Sequence, residues 1–196
     1  PTKRKYYLKQ VEYIDRRLAS LYQYIEEHYK EDEIVVSLFS DHGQGYLVKQ
    51  DEDFLSDERT KIAFMMRGND IKGHTREIMS ACDYSPIMCK LAGITYDYTN
   101  TDAHLPMAFG GSEEREFSVT ESIHVGDPYQ IVLNGKDFRF YLNGKENVTS
   151  ECRVPLDEYE TQLTDADGNV IQDNDKTAYY TKWCLKHVSS CVIYKD

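Results

Sequence analysis

The residues best suited to chemistry are Asp41 and His42, in the stretch Ser40-Asp41-His42-Gly43-Gln44-Gly45. A carboxylate is a hard oxygen donor and an imidazole a borderline nitrogen donor. Together they can ligate Mg²⁺, Ca²⁺, Mn²⁺ or Zn²⁺. Neighbouring side chains on a strand point to opposite faces, but where a strand ends and turns both can converge. Gly43 and Gly45 allow the backbone to approach a ligand closely. The alternative is a plain turn in which Asp41 caps local N–H groups and His42 is structural. His74, in Gly73-His74-Thr75, is another imidazole that could serve a metal, but its setting reads as surface. The five cysteines (Cys82, Cys89, Cys152, Cys184 and Cys191) contain no C-x-x-C pair. They read as buried free thiols rather than a zinc site, which leans toward a reducing compartment such as the cytoplasm. Asp165-Ala-Asp167-Gly168-Asn169 lacks a closing glutamate and reads as a turn rather than a calcium loop. Asn147-Val-Thr149 fits the glycosylation sequon, a pattern that chance produces often.

The elements that would position these residues follow from periodicity. Leu8, Val11, Ile14, Leu18, Leu21 and Ile25 recur at helical spacing and predict a helix from about Tyr6 to Tyr29. Ile34 to Phe39 is a short β-rich run, the pattern of a strand covered on both faces in a parallel sheet. The Asp41-His42 pair then falls at its C-terminal end, the usual ligand position of open α/β sheets. Lys49 to Arg59 reads as a charged loop and Lys61 to Arg67 as a second buried strand. Ser85-Pro86 opens a helix that Gly93 closes, and Arg76 to Cys82 adds a turn before it. Residues 95–115 lack periodicity and read as a linker. Phe117 to Glu121 predicts a strand. Tyr129 to Leu133 and Lys136 to Leu142 predict a hairpin turning at Asn134-Gly135, with another turn at Asn143-Gly144. Asp175 to Val192 predicts a terminal helix.

Composition limits the function classes. The 196 residues are 40% hydrophobic and 29% charged, which suits a globular protein and not a disordered one. The formal charge of −11 disfavours non-specific binding to nucleic acid or anionic membrane. No apolar run is long enough to span a bilayer, and the basic start has no signal-peptide core after it.

The order of these signals resembles the C-terminal part of the sulfatase family, within the alkaline phosphatase superfamily. Tyr7-Leu-Lys-Gln-Val11-Glu-Tyr13-Ile14-Asp15 is similar to the family's Y-x-x-x-V-x-x-x-D helix. Val36-Ser-Leu-Phe-Ser40-Asp41-His42-Gly43 resembles its (S/T)-D-(H/N)-G metal motif. Phe54 to Gly68 resembles the acidic turn, R-V-P strand and R-G that follow, with Ala63 where proline is frequent. Ser80-Ala-Cys-Asp83-Tyr-Ser-Pro86 to Ala92-Gly93 resembles S-x-x-D-x-x-P-T-x-x-x-x-A-G.

The resemblance implies an α/β fold. It would be the C-terminal part of an alkaline-phosphatase-like mixed or parallel sheet sandwiched by helices, plus a small antiparallel α+β subdomain. It divides the chain at residues 1–110 (C-terminal half of the α/β domain) and 111–196 (small sheet and helix). It implies a metal-dependent hydrolase of sulfate esters, with Asp41 and His42 as ligands of one divalent cation. Calcium is the expected ion, and Mn, Mg or Zn could replace it. The substrate would be a small-molecule or glycan sulfate ester. A basic residue that contacts the ester usually follows the metal motif. Lys49 is the nearest candidate, although anchoring on Arg59–Gly68 instead puts Glu52 there. Asp83 and Ser85 fit helix capping, and Asp15 and Glu121 read as structural.

The family's nucleophile motif, C/S-x-P/A-x-R, does not occur in these residues; Cys152-Arg-Val-Pro155 has its proline misplaced. No nucleophile is therefore assigned here, and formylglycine is expected only in an N-terminal half. The start at Pro1 rather than Met suits a C-terminal fragment, inactive alone, whose exposed sheet edges favour self-association. Two alternatives stand beside this one. One is a phosphodiesterase, phosphonate hydrolase or phosphoglycerol transferase of the superfamily, acting on a phosphate ester. The other is a non-catalytic scaffold module of that fold.

Overall fold

A computed structural model describes residues 2–30, 32–46, 54–68, 71–99 and 101–190. It divides into two compact units, Pro1–His74 and Thr75–Asp196. Helices and antiparallel sheets mix in an α/β architecture.

The first unit begins with α1 (Thr2–His28), 27 residues long. Its apolar stripe is real in spacing yet bare in packing: Leu8, Val11, Ile14 and Leu21 are exposed, while Leu18, Tyr22 and Ile25 are half-buried. β1 (Val36–Phe39) pairs with β2 (Phe64–Arg67) in a two-stranded antiparallel ribbon, Val36 opposite Arg67 and Phe39 opposite Phe64. The expectation of a parallel, doubly covered strand is corrected here. A continuous apolar run records that a strand carries no charge, not the direction of its neighbour. The intervening chain folds back on itself through the one-turn helix α2 (Asp57–Thr60), within the stretch expected to be loop. Leu55 is the one large hydrophobic residue fully buried among the described residues of this unit.

The second unit has its own core. A 3₁₀ turn (Ala81–Asp83) leads into α3 (Tyr84–Leu91), and Gly93 follows at φ +69°. The segment expected to be a linker is tied down instead. Its 3₁₀ turn, Met107–Phe109, has the N–H groups of Met107 and Ala108 donating to the Glu77 carboxylate at 2.7 and 2.9 Å. β3 (Phe117–Ser122), β4 (Pro128–Gly135), β5 (Phe138–Asn147) and β6 (Tyr159–Asp165) form an antiparallel meander in that order. α4 (Asn174–Ser190) lays Tyr180, Cys184 and Val188, four residues apart, on Phe117, Ile131, Leu133, Phe140, Leu142 and Leu163. Tyr180 stacks on Phe138 with ring centroids 4.7 Å apart.

Two turn expectations shift. The hairpin turns at Lys136-Asp137, because Gly135 still pairs with Phe117 and the Phe138 ring fills the space where a Gly135 side chain would sit. Asn143-Gly144 lies inside β5 opposite Glu160 and Tyr159. A Cβ at Gly144 would stand 3.4 and 3.5 Å from the Pro155 and Tyr129 carbonyl oxygens, in ordinary van der Waals contact. Pairing on both edges of β5 overrides a local turn signal. The Asp165–Asn169 turn forms as read, with Asp165 accepting the Asp167 and Asn169 N–H groups. Cys184 is buried, Cys82 and Cys89 are half-buried, and Cys152 is exposed rather than buried.

Candidate metal centre

β1 ends at Phe39, and the chain then leaves the ribbon under tight control. Ser40 N–H donates to the Ala63 carbonyl at 3.0 Å, and Ala63 N–H donates back to Ser40 Oγ at 3.0 Å. Three residues on, Gly43 N–H donates to the Arg59 carbonyl at 2.8 Å. Asp41 and His42 project from the arch between these two anchor points. Their side chains are 86% and 62% exposed, so a ligand can reach both.

The local bonds define which atoms are available. Asp41 Oδ1 accepts the His42 N–H at 2.9 Å, which is the capping role a turn would give it. Asp41 Oδ2 remains outward, 3.7 Å from His42 Nε2. His42 Nδ1 lies 2.7 Å from the Gly43 carbonyl oxygen. A carbonyl only accepts, so Nδ1 carries the proton and Nε2 presents its lone pair. A metal-ligating histidine is commonly oriented in this way by a carbonyl on its other nitrogen. An oxygen and a nitrogen 3.7 Å apart can share one cation, since each donor sits about 2.0–2.6 Å from the ion. The donor set therefore fits a divalent metal. It is also incomplete: among the described residues no group of three His, Cys, Asp or Glu side chains could hold an ion.

Lys49 and Glu52, the rivals for the ester-contacting position, lie outside the described residues. His74 is exposed. Asp83 does cap, with its carboxylate accepting the Ser80 N–H at 2.8 Å in a capping box. It does more than that. Fully buried, it also pairs with Arg115 and accepts the His104 N–H at 2.7 Å. Arg115 gave no sign of this in the sequence, because its partner is 32 residues away. Glu121 is structural as read: it accepts the buried Tyr129 hydroxyl and lies 3.3 Å from His187 Nε2. Sequence reasoning also missed Ser40 and Arg59 as supports of the Asp41-His42 arch. Only Gly43 and Gly45, glycines without a turn of positive φ, hinted that something packs against the loop.

Residues 2–94 match the model of the Sulfatase family. Among solved structures, the fold is shared with a protein assigned to the sulfatases from Bacteroides thetaiotaomicron VPI-5482, at 19% identity and a TM-score of 0.51. It is also shared with a 2-O GAG sulfatase at 18% identity and a TM-score of 0.51. In both cases 81% of this chain is covered but 35% of the solved one, so the chain spans about a third of their length. No curated protein matches. The Asp41-His42 arch lies inside the stretch that matches the Sulfatase family model, and the chain shares the fold of these two solved structures.

Proposed function

We propose that this chain is part of a sulfatase-type hydrolase of sulfate esters, to which it supplies Asp41 Oδ2 and His42 Nε2 as two ligands of a divalent cation, calcium by the resemblance. The observation that carries the reading is the pairing of these two outward donor atoms, 3.7 Å apart, with His42 held in the ligating tautomer by the Gly43 carbonyl. A cation bound there supplies charge neutralisation at the ester oxygens and alignment of a nucleophile. The chain's own contribution is to orient the two donors and keep the His42 proton on Nδ1. Lys49 is proposed as the ester-contacting residue.

The remaining ligands and the nucleophile belong to a part of the fold beyond these residues. Two observations support that. The matched structures are about three times as long as the segment they share with this chain. The apolar stripe of α1 is bare, with Ile14 53% and Leu8 50% exposed, as expected of a helix that another layer covers. Asp41→Ala in the complete enzyme should abolish hydrolysis of an aryl sulfate, while the isolated chain should show none. Strong turnover by the isolated chain would overturn the reading.

His42 favours one second reading, phosphoryl transfer within the same superfamily, because Asp-His sites recur in its phosphate-handling relatives. The nucleophile distinguishes the two. Cys or Ser within C/S-x-P/A-x-R marks the sulfatase, and a Thr or Ser outside that motif marks the phosphoryl-transfer enzyme.

A further inference from the structure

The Asp41-His42 arch is shaped from below by one residue. We propose that Arg59 is the positioning residue of this site, holding the loop with its backbone and its side chain at once; this rests on the metal-site reading above. The Arg59 carbonyl accepts the Gly43 N–H at 2.8 Å. At Gly43 the two backbones are so close that a Cβ would collide with the Glu58 carbonyl oxygen. Two residues on, the Arg59 guanidinium lies on Gly45, and any side chain there would overlap its Cζ, Nε and Nη2 atoms. The far side of the guanidinium is held as well: it sits 5.3 Å from the centre of the Phe54 ring, and Nη1 reaches the Phe54 carbonyl at 3.4 Å. α2 fixes the residue in turn, since Arg59 N–H donates to the Ser56 carbonyl at 2.9 Å beside the buried Leu55.

The arch needs such a support. Among the described residues, the contacts of the Asp41 and His42 side chains are with each other and with the backbone of residues 42 and 43. Their direction is therefore inherited from the backbone of residues 40–45. Ser40 and Ala63 fix the upstream foot, and Arg59 fixes the downstream foot. A planar guanidinium can lie flat between a glycine and an aromatic ring, whereas an ammonium cannot. Glycine at 43 is then required by backbone contact rather than by dihedral angle, and a side chain at 45 would have to displace the guanidinium.

The test compares wild type with Arg59→Ala, Arg59→Lys and Gly45→Ala in the full chain. Hydrogen exchange of the Gly43 amide reads the clamp, and line broadening of the His42 ring by Mn²⁺ reads the site. The core amide of Leu133 controls for folding. All three variants should speed Gly43 exchange about tenfold or more, with Leu133 unchanged. They should weaken Mn²⁺ binding by roughly 10- to 100-fold, the usual loss when a ligand's support is removed. Lysine should rescue neither. Gly43 exchange and Mn²⁺ affinity at wild-type values in Arg59→Ala would overturn the proposal. If wild type itself takes no Mn²⁺ while the variants still speed Gly43 exchange, the clamp stands on the exchange readout alone. Should Arg59→Ala lose Leu133 protection, Gly45→Ala, which keeps the arginine, decides the matter by the same two readouts.

Discussion

The Asp83 carboxylate is fully buried and its countercharge, the Arg115 guanidinium, is 14% exposed. Arg115 bridges onward to the Asp102 carbonyl at 2.8 Å, so one cation gathers residues 82–83, 102 and 115. Removing one partner of such a pair strands a charge away from water. Arg115→Ala should destabilise the second unit by about 3–5 kcal/mol, measured by urea unfolding. Replacing both residues with apolar ones of similar volume should cost less than the single change.

A second pair makes α4 sensitive to pH. The hydrogen bond that His187 donates to Glu121 raises its pKa above the ordinary 6.5, against the opposing effect of burial; Glu121 and Asp102 charges add to the rise. The ring also stacks on Trp183 at 5.0 Å, and Tyr129 shares the same carboxylate. A folded-state pKa above the unfolded one gives stability that is complete below pH 6.5 and fades as pH climbs through the raised value. Melting temperature should therefore fall from about pH 6 to about pH 8, and the fall should flatten in His187→Gln.

Thiol labelling should rank the cysteines by environment. Burial pushes the Cys184 thiol up to about 12, with the Glu121 charge adding to it, whereas Cys152 is exposed. Under native conditions Cys152 should react first with a thiolate-selective reagent and Cys184 last. Equal rates would contradict the packing of α4.

Phe140→Ala should test the sheet core. The ring is fully buried and packs against Tyr180 at 5.5 Å. A loss of about 3–5 kcal/mol is expected in denaturant unfolding.

Gly43→Ala should disturb the site without touching a ligand. A methyl group would strike the Glu58 carbonyl, so the arch must lift from α2. Metal affinity should drop at least as far as in Arg59→Ala, while the unfolding of the second unit stays unchanged.

Elements with a strong period could be read directly. The α1 spacing, the Ser85-Pro86 to Gly93 helix and the Asp165–Asn169 turn all appear within a few residues of their expected bounds. What could not be read depends on partners far along the chain. The direction of β1 pairing is set by its partner β2, 25 residues on at Phe39 and Phe64, and not by the run itself. The hairpin turn lies at Lys136-Asp137 because Gly135 pairs with Phe117 and the Phe138 ring fills the space beside it. β6 carries the alternation Tyr159-Glu-Thr-Gln-Leu163, with Glu160 and Gln162 outward, which the sequence reading passed over; it pairs with β5. At the site, the Asp-His-Gly motif was visible, and its order among other signals pointed to the family. Arg59 was not visible, because an arginine in a charged stretch looks the same whether it is solvated or lies on a glycine.

The bare stripe on α1 has a consequence for how the chain lives. The second unit encloses Ile131, Leu133, Phe140 and Leu142 completely, whereas the first encloses Leu55 among its described residues. One unit carries the means of its own persistence, and the other borrows it. A protease given the isolated chain should trim it toward the second unit and leave a resistant remnant. The Asp41-His42 arch thus resides in the part least able to endure alone, and covering α1 would protect it from degradation.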